Sequence, residues 1–209
     1  MKQKICFILS IIFILSFCGV YALAVHREIS DGIIRLHIVA NSDSFTDQSA
    51  KLAVRDAIIN TVKNDFSVNT NKEEFKALLS QNQNKIKEIA DRVLLKSGLD
   101  YKSHISLEKV YIPRKSYKNI ILPEGKYDAL VIRLGESYGK NWWCIVYPPL
   151  CFTEESVGDL SDEGIDYLKN VLSDESLSLI NRDAVEIEYK FKLVELFQRV
   201  KNHYLFLSE

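Results

Sequence analysis

The sequence predicts an α+β domain in which helices pack against an antiparallel or mixed β-sheet, preceded by an N-terminal signal peptide or anchor. Three observations favour this fold class: an uncharged apolar stretch at the N-terminus, a strand pattern followed by helical patterns, and several later stretches in which apolar and polar residues alternate. The 209 residues, 47% hydrophobic and 26% charged, have the composition of an ordinary globular protein and show no internal repeat. We therefore expect a single folded domain after the N-terminal segment.

The N-terminus has the organisation of an export signal. Two lysines precede an uncharged run, Ile5–Val25, that ends with the sequence Ala-Leu-Ala at 22–24. Small residues at those positions are what a signal peptidase recognises, which favours cleavage after Ala24. The run is also long enough, at about 20 residues, to span a bilayer, so an uncleaved anchor is the alternative. We expect a signal peptide or signal anchor over 1–24 and an exported domain over 25–209 that contacts the membrane only through that segment.

The exported part begins with a strand pattern followed by a helix pattern. Over residues 33–39, apolar side chains alternate with Arg35 and His37, which predicts a half-buried strand. Four residues with side-chain acceptors come next: Asn41, Ser42, Asp43 and Ser44. Such acceptors suit the free N–H groups at the start of a helix, and we predict this cap for a helix over 47–63.

A second helix is predicted from a capping box and an apolar repeat. Thr70 and Glu73 have the spacing at which each side chain binds the other's backbone N–H. Apolar residues then recur at three- and four-residue steps from Phe75 to Leu94, and Gly98 is suited to end the helix.

From residue 103 onward the pattern changes to a period of two. The predicted strands are Ser103–Ile112, Ile120–Leu122, Tyr127–Leu134 and Trp142–Tyr147. Their short connections favour antiparallel neighbours. Beyond them, Ser161–Leu172 has a helical pattern, and Val185–Tyr204 is typical of a strand passing into a helix or of one long helix.

Charge and spacing argue against nucleic acid, metal and nucleotide as ligands. The 27 basic and 28 acidic residues leave no excess to neutralise a phosphate backbone. No pair of the four histidines has a metal-ligand spacing, and Asp43 and Asp47 lack the loop pattern of a calcium site. The glycine-rich stretch 135–141 lacks the spacing of a phosphate-binding loop and is interpreted as a strand connection. We therefore predict no metal and no cofactor.

Cys144 and Cys151 are the two cysteines of the exported domain. An oxidising compartment favours a disulfide between them, with two buried thiols as the other structural interpretation. The alternative is an exported hydrolase that attacks cell wall or peptide through Cys144. Its candidate bases are His37, His104 and His203, and its candidate orienting carboxylates are Asp43 and Asp47. No spacing supports this set, so we predict no catalytic residue and no enzyme.

Adjacent tryptophans near the end of the sheet raise the question of a partner. Neighbouring side chains of a strand point to opposite faces, so Trp142 and Trp143 have different environments. One explanation is packing beneath a helix or loop, a second is an anchor for a partner protein, and a third is a stacking platform in a wall-binding module. The candidate partner-binding residues are Asn141, Trp142, Trp143, Tyr147, Pro148 and Pro149.

Two stretches resemble the stage II sporulation protein R family. The first is Ile-Arg-Leu-His-Ile-Val-Ala-Asn-Ser-Asp-Ser at 34–44, followed by Asp-Gln at 47–48 and Val-Arg-Asp-Ala at 54–57. The second is Asn-Trp-Trp-Cys-Ile-Val-Tyr-Pro-Pro-Leu-Cys at 141–151. The resemblance implies a signalling protein made in the forespore and exported into the space between the forespore and mother-cell membranes. It further implies activation of a membrane-embedded aspartic protease, acting at that protease's extracytoplasmic face, which cleaves the pro-sequence from sigma-E.

Overall fold

A four-stranded mixed sheet lies at the centre of the structure, a computed structural model that describes residues 2–66, 71–117, 120–152 and 162–181. The helices and strands, in chain order, are α1 (Lys2–Gly32), β1 (Ile34–Val39), α2 (Phe45–Asp65), α3 (Lys72–Gln81), α4 (Gln83–Lys96), β2 (Ser103–Ile112), β3 (Lys115–Tyr117), β4 (Ile120–Leu122), β5 (Gly125–Leu134), β6 (Asn141–Tyr147), α5 (Asp162–Lys169) and α6 (Asp174–Ile180). The sheet order is β2-β5-β1-β6, and β3 pairs with β4 in a separate two-stranded sheet. The predicted α+β class, with helices on a mixed sheet, is confirmed.

Strand β1 is one of the two inner strands of the sheet and runs in the same direction as the other, β5. It pairs with β5 in parallel and with β6 in antiparallel orientation, whereas β2 pairs with β5 in antiparallel orientation. The expectation that the strands of the 127–134 and 142–147 patterns would be direct neighbours is therefore wrong. The loop 135–140 passes over the end of β1 and hydrogen-bonds to it, which places β6 on the far side of β1.

The prediction of a half-buried first strand is also wrong, because all six residues of β1 are buried. Its apolar face packs in a core formed with α2, α3 and α4. On its other face, Arg35 is fully buried near Tyr127, which belongs to a second core together with residues of α1, α5 and α6. A central strand covered by helices on both sides cannot have a solvated face.

The helices predicted over 47–63, after Thr70 and over 161–172 are present, although their ends and caps differ from the predictions. Ser44 caps α2 by accepting from the N–H of Asp47. The cap of α3 is Asn71, which accepts from the N–H of Glu74, while Thr70 of the predicted capping box lies outside the described residues. The long predicted helix is two helices, α3 and α4, separated at Asn82.

Helix α1 joins the apolar N-terminal segment to the core without a break. It is the one helix of the described ranges that is long and apolar enough to cross a membrane, by length and composition. Its last two turns are different, because Val25 is 7% exposed and Ile29 is fully buried in the second core. His26 donates from Nε2 to the carbonyl of Glu124 at 2.6 Å, next to the start of β5.

The later part of the chain also differs from the predictions. Helix α5 ends at Lys169, inside the predicted 161–172 pattern, and the short strand β3 was not expected. The segment Val185–Tyr204 lies outside the described residues.

Candidate functional site

The two tryptophans of β6 are half-buried on opposite faces of the sheet. Trp142 packs against the first core, and the guanidinium of Arg55 on α2 lies 4.3 Å from the centre of its ring. Trp143 stacks on His37, with ring centres 3.6 Å apart and planes inclined by 12°. Packing therefore accounts for one face of each ring, and each ring keeps a partly exposed surface.

His37 is oriented by the residues around it on β6. Its Nε2 donates to Oδ1 of the exposed Asn141 at 2.6 Å. Burial lowers the pKa of His37, the hydrogen bond to Asn141 opposes this shift, and the positive charge of Arg133 adds to it. Burial and the neighbouring arginine charge therefore favour the neutral form of this imidazole.

The other end of β6 is buried. Tyr147 is 6% exposed and its ring centre lies 5.3 Å from that of Phe75 on α3. Pro148 and Pro149 are also buried, and the Tyr147–Pro148 peptide bond is cis. Of the six candidate partner-binding residues, the structure thus exposes the side chains at the Asn141 end and covers those at the proline end.

A disulfide joins Cys144 and Cys151, whose Cα atoms are 5.9 Å apart. It connects β6 to a short 3-10 turn, Leu150–Phe152, directly after the two prolines. A bonded sulfur is not a thiolate, so Cys144 in this state lacks the nucleophile that the hydrolase alternative requires. Within the described ranges, no group of three or more His, Cys, Asp or Glu side chains is placed to hold a metal ion.

The predicted capping residues do more than cap a helix. Ser44 is the cap, while Asn41 and Ser42 donate to one carboxylate oxygen of Asp47, at 2.9 and 2.5 Å. Tyr101 donates to the other oxygen at 2.6 Å. Burial opposes ionisation of Asp47, but the hydrogen bonds from Ser42, Tyr101 and Asn41 outweigh it and lower its pKa to about 2.

This network fastens the loop after β1 to the loop after β5. Asp43 accepts from the N–H of Lys140 at 2.7 Å, and Asn41 accepts through Oδ1 from the N–H of Glu136 at 2.9 Å. A Cβ on Gly139 would overlap the carbonyl group of Ser42, so only glycine permits this approach. The first stretch that carries the family resemblance is therefore bound to the loop 135–140, which leads directly into the second stretch.

Three buried charged residues of this region were missed by sequence reasoning. Arg35 donates to the carbonyl of Cys144 at 3.0 Å and to the hydroxyl of Tyr117 at 2.7 Å, and its Nη1 has no hydrogen-bond partner in the described part of the chain. Lys51 donates to the carbonyl of Lys140 at 3.0 Å. The alternation of apolar and polar residues predicts that Arg35 faces solvent, and the helical pattern makes no assignment for Lys51.

Asp128 on β5 is the third of these residues. Its carboxylate pairs with Lys72 at 2.7 Å and Lys76 at 2.9 Å, and this holds α3 near the amino end of the inner strand β5. Burial raises the pKa of Asp128, but the hydrogen bonds from the two lysines outweigh it, so the pKa lies below its ordinary value. A single Asp within an apolar strand gives no indication, in the sequence, that lysines of a distant helix pair with it.

Comparison with known proteins identifies a family that this chain matches. The model of a family described as stage II sporulation protein R matches residues 30–157. A curated relative, stage II sporulation protein R of Bacillus subtilis (strain 168), is 38% identical over 135 residues, which cover 65% of this chain and 60% of the relative. The matched region thus spans less than two thirds of that relative's length. No solved structure matches the chain.

Proposed function

Since the chain belongs to the stage II sporulation protein R family, we propose that it is an exported signalling protein that activates a membrane-embedded aspartic protease during sporulation. The protease in turn cleaves pro-sigma-E in the mother cell. The protein is made in the forespore and acts in the space between the forespore and mother-cell membranes. The observation that carries this proposal is the family match, which includes both the loop after β1 and the Trp-Trp-Cys to Pro-Pro-Leu-Cys segment.

The chain's contribution is that of a ligand and not of a catalyst. A ligand shifts a conformational or monomer–dimer equilibrium of its receptor only by binding one state more tightly than the other. The disulfide at Cys144 and the rigid loop network are suited to presenting a fixed surface. A preformed surface loses little conformational entropy on binding, which favours affinity.

We further propose that α1 is retained as an anchor. Cleavage after Ala24 would leave the N–H groups of Val25 and the following three residues without the carbonyl acceptors of the preceding turn. It would also place a charged amine at a helix N-terminus, beside two side chains, Val25 and His26, that are each 7% exposed. Mass determination of the protein from cell membranes tests this: an intact N-terminus supports the anchor, and a chain that starts at Val25 contradicts it.

The proposed contact with the protease lies at the exposed end of the predicted segment, at Asn141, Trp142 and Trp143. Aromatic side chains that keep a partly exposed face at a rigid strand end are typical of protein-interface hot spots. Trp142→Ala and Trp143→Ala should each reduce activation at least tenfold, whereas the matched Trp→Phe changes should preserve packing and most of the activity. If both Ala variants fold, are exported and activate normally, this contact is wrong.

The function itself is tested by co-expression in a non-sporulating host. The full chain is produced together with the protease and pro-sigma-E, and compared with a chain that lacks residues 1–24. Processing that depends on the export segment supports an extracytoplasmic activator. Equal processing without export, or no processing in either case, contradicts the proposal.

A further inference from the structure

Two aromatic side chains project into solvent at the carboxyl ends of β1 and β5, one from the first residue of α2 and one from the loop 135–140. Phe45 is 88% exposed and Tyr138 is 84% exposed, more than any other large hydrophobic side chain of the described ranges, including the apolar α1. Phe45 follows the cap residue Ser44. Tyr138 lies in the loop after β5, which is hydrogen-bonded to the loop after β1. Single exposed apolar residues are normal on a surface, but two large aromatics at the same end of the sheet require an explanation.

The backbone segments that carry the two rings are held rigidly. The N–H groups of Tyr138 and Gly139 donate to the carbonyls of Asn41 and Ala40, at 3.1 and 2.9 Å. A ring on such a backbone is already placed for contact, so binding does not have to order the loop. In a mobile loop, by contrast, binding through the aromatic side chain would have to order the backbone first.

The position of the rings relative to α1 indicates what they face. His26 of α1 lies against Gly125 at the amino end of β5, whereas the loop of Tyr138 follows the carboxyl end of that strand at Leu134. Ten residues of strand separate these ends by about 30 Å. The loop of Tyr138 and the start of α2 therefore lie at the end of the sheet opposite to its contact with His26, away from the proposed anchor.

We propose that Phe45 and Tyr138 form the tip of a docking surface for a protein in the facing membrane. The partner surface has an apolar pocket for two rings and a basic rim. This inference rests on the proposed function, because the partner that binds the tip is the protease named in that proposal. The surface continues along the chain from Tyr138 through Lys140 to Asn141 and the two tryptophans.

The charges around the rings favour a protein over a lipid surface. The loops 40–46 and 135–140 carry two carboxylates, those of Asp43 and Glu136, and one ammonium, that of Lys140. Binding to anionic lipid requires a cluster of Lys and Arg, each contributing about 1 kcal/mol. Two carboxylates beside the rings oppose such binding and complement a basic rim.

A vesicle-tethering experiment tests the inference independently of processing. The full chain is reconstituted in one set of vesicles, and its attachment is measured to vesicles bearing the protease and to protease-free vesicles that contain anionic lipid. The test variant is Phe45→Ser combined with Tyr138→Ser. The control is Leu95→Ser, because Leu95 is 68% exposed on α4 and belongs to neither of the two loops.

We expect the wild-type chain and the Leu95 control to attach only to protease-bearing vesicles, and the double variant to attach at least tenfold less. Equal attachment of the double variant, or equal attachment to protease-free anionic vesicles, overturns the inference. Unfolding of each variant is measured by circular dichroism, so that loss of fold is not mistaken for loss of docking. Intact, ring-dependent tethering without pro-sigma-E processing would support docking and contradict the proposed function, which keeps the two failures distinct.

Discussion

Replacing Asp47 by Asn tests the network that holds the two loops together. The carboxylate accepts three side-chain hydrogen bonds, from Asn41, Ser42 and Tyr101. Asn removes the charge and turns one acceptor into a donor, so at least one of these bonds is lost and the others weaken. At about 1 kcal/mol for each charged bond replaced, we expect the free energy of unfolding to fall by about 3 kcal/mol. The lowering of the pKa from 3.8 to about 2 corresponds to a similar figure, about 2.5 kcal/mol.

The assay is thermal unfolding of the full chain in detergent, followed by circular dichroism. A loss of about 3 kcal/mol corresponds to a drop in Tm of about 6 to 12 °C for a domain of this size. The matched control is Asp56→Asn on the same helix, where the carboxylate is 59% exposed and pairs with the neighbouring Arg55. Such a surface pair contributes less than about 0.5 kcal/mol, so the control should leave Tm nearly unchanged.

The pH dependence gives the sharper result. Asp47 has a folded-state pKa below its unfolded value, so its contribution is fully present above pH 3.8 and is lost as pH falls toward about 2. The difference in Tm between wild type and Asp47→Asn should therefore be constant near neutral pH and shrink in strong acid. A difference that does not depend on pH, or one no larger than that of the Asp56 control, would refute the assignment of the charge to this network.

Three further predictions follow from contacts elsewhere in the fold. Gly139→Ala should destabilise the protein strongly in the same unfolding assay, because its Cβ meets backbone, whereas Gly19→Ala, with nothing within 4 Å, should be neutral. Asp128→Asn should lower the free energy of unfolding by about 2 to 4 kcal/mol at pH 7 by leaving two lysines unpaired. That loss should diminish in acid, since the folded-state pKa of Asp128 is below its ordinary value of 3.8 and the wild-type carboxyl then protonates too. In a chain whose two N-terminal cysteines are replaced by Ser, Cys144 and Cys151 should resist alkylation until reductant is added, and rapid labelling of the native chain would contradict the disulfide. Replacing Cys144 and Cys151 by Ser should lower the free energy of unfolding by about 2 kcal/mol, which is the entropy of closing so short a loop.

Local patterns predicted the elements well because strand and helix periods are properties of neighbouring residues. The bounds of β2 and β4 agree with the alternation at 103–112 and 120–122. The order of strands in the sheet was not accessible, since it depends on long-range pairing between β1 and β5. Asn82 shows the limit for helices: the apolar repeat continues through it, and only the structure reveals that one helix ends and another begins there.

The site was predicted only in part for the same reason. The sequence identified the tryptophans, the cysteines and the polar loop as unusual, and interpreted the loop as a cap. It did not indicate that Tyr101, 54 residues from Asp47, completes the carboxylate's hydrogen bonds. Nor did the alternation of β1 indicate a buried Arg35, because a pattern of polar and apolar residues cannot show that helices cover both faces of a sheet.

The burial of β1 on both faces links the membrane segment to the proposed signalling surface. One of the elements that cover the face of Arg35 is the end of α1, where Ile29 and Ile33 are fully buried, so the helix suited to cross a membrane also completes the core of the domain. Strand β1 begins two residues after that helix ends, and the loop of Asn41 follows it directly. With no mobile linker between these elements, the orientation of the helix determines the direction in which Phe45 and Tyr138 point. If α1 is retained as proposed, the proposed tip is held in a restricted range of orientations relative to the membrane, which reduces the entropic cost of binding a partner across the gap.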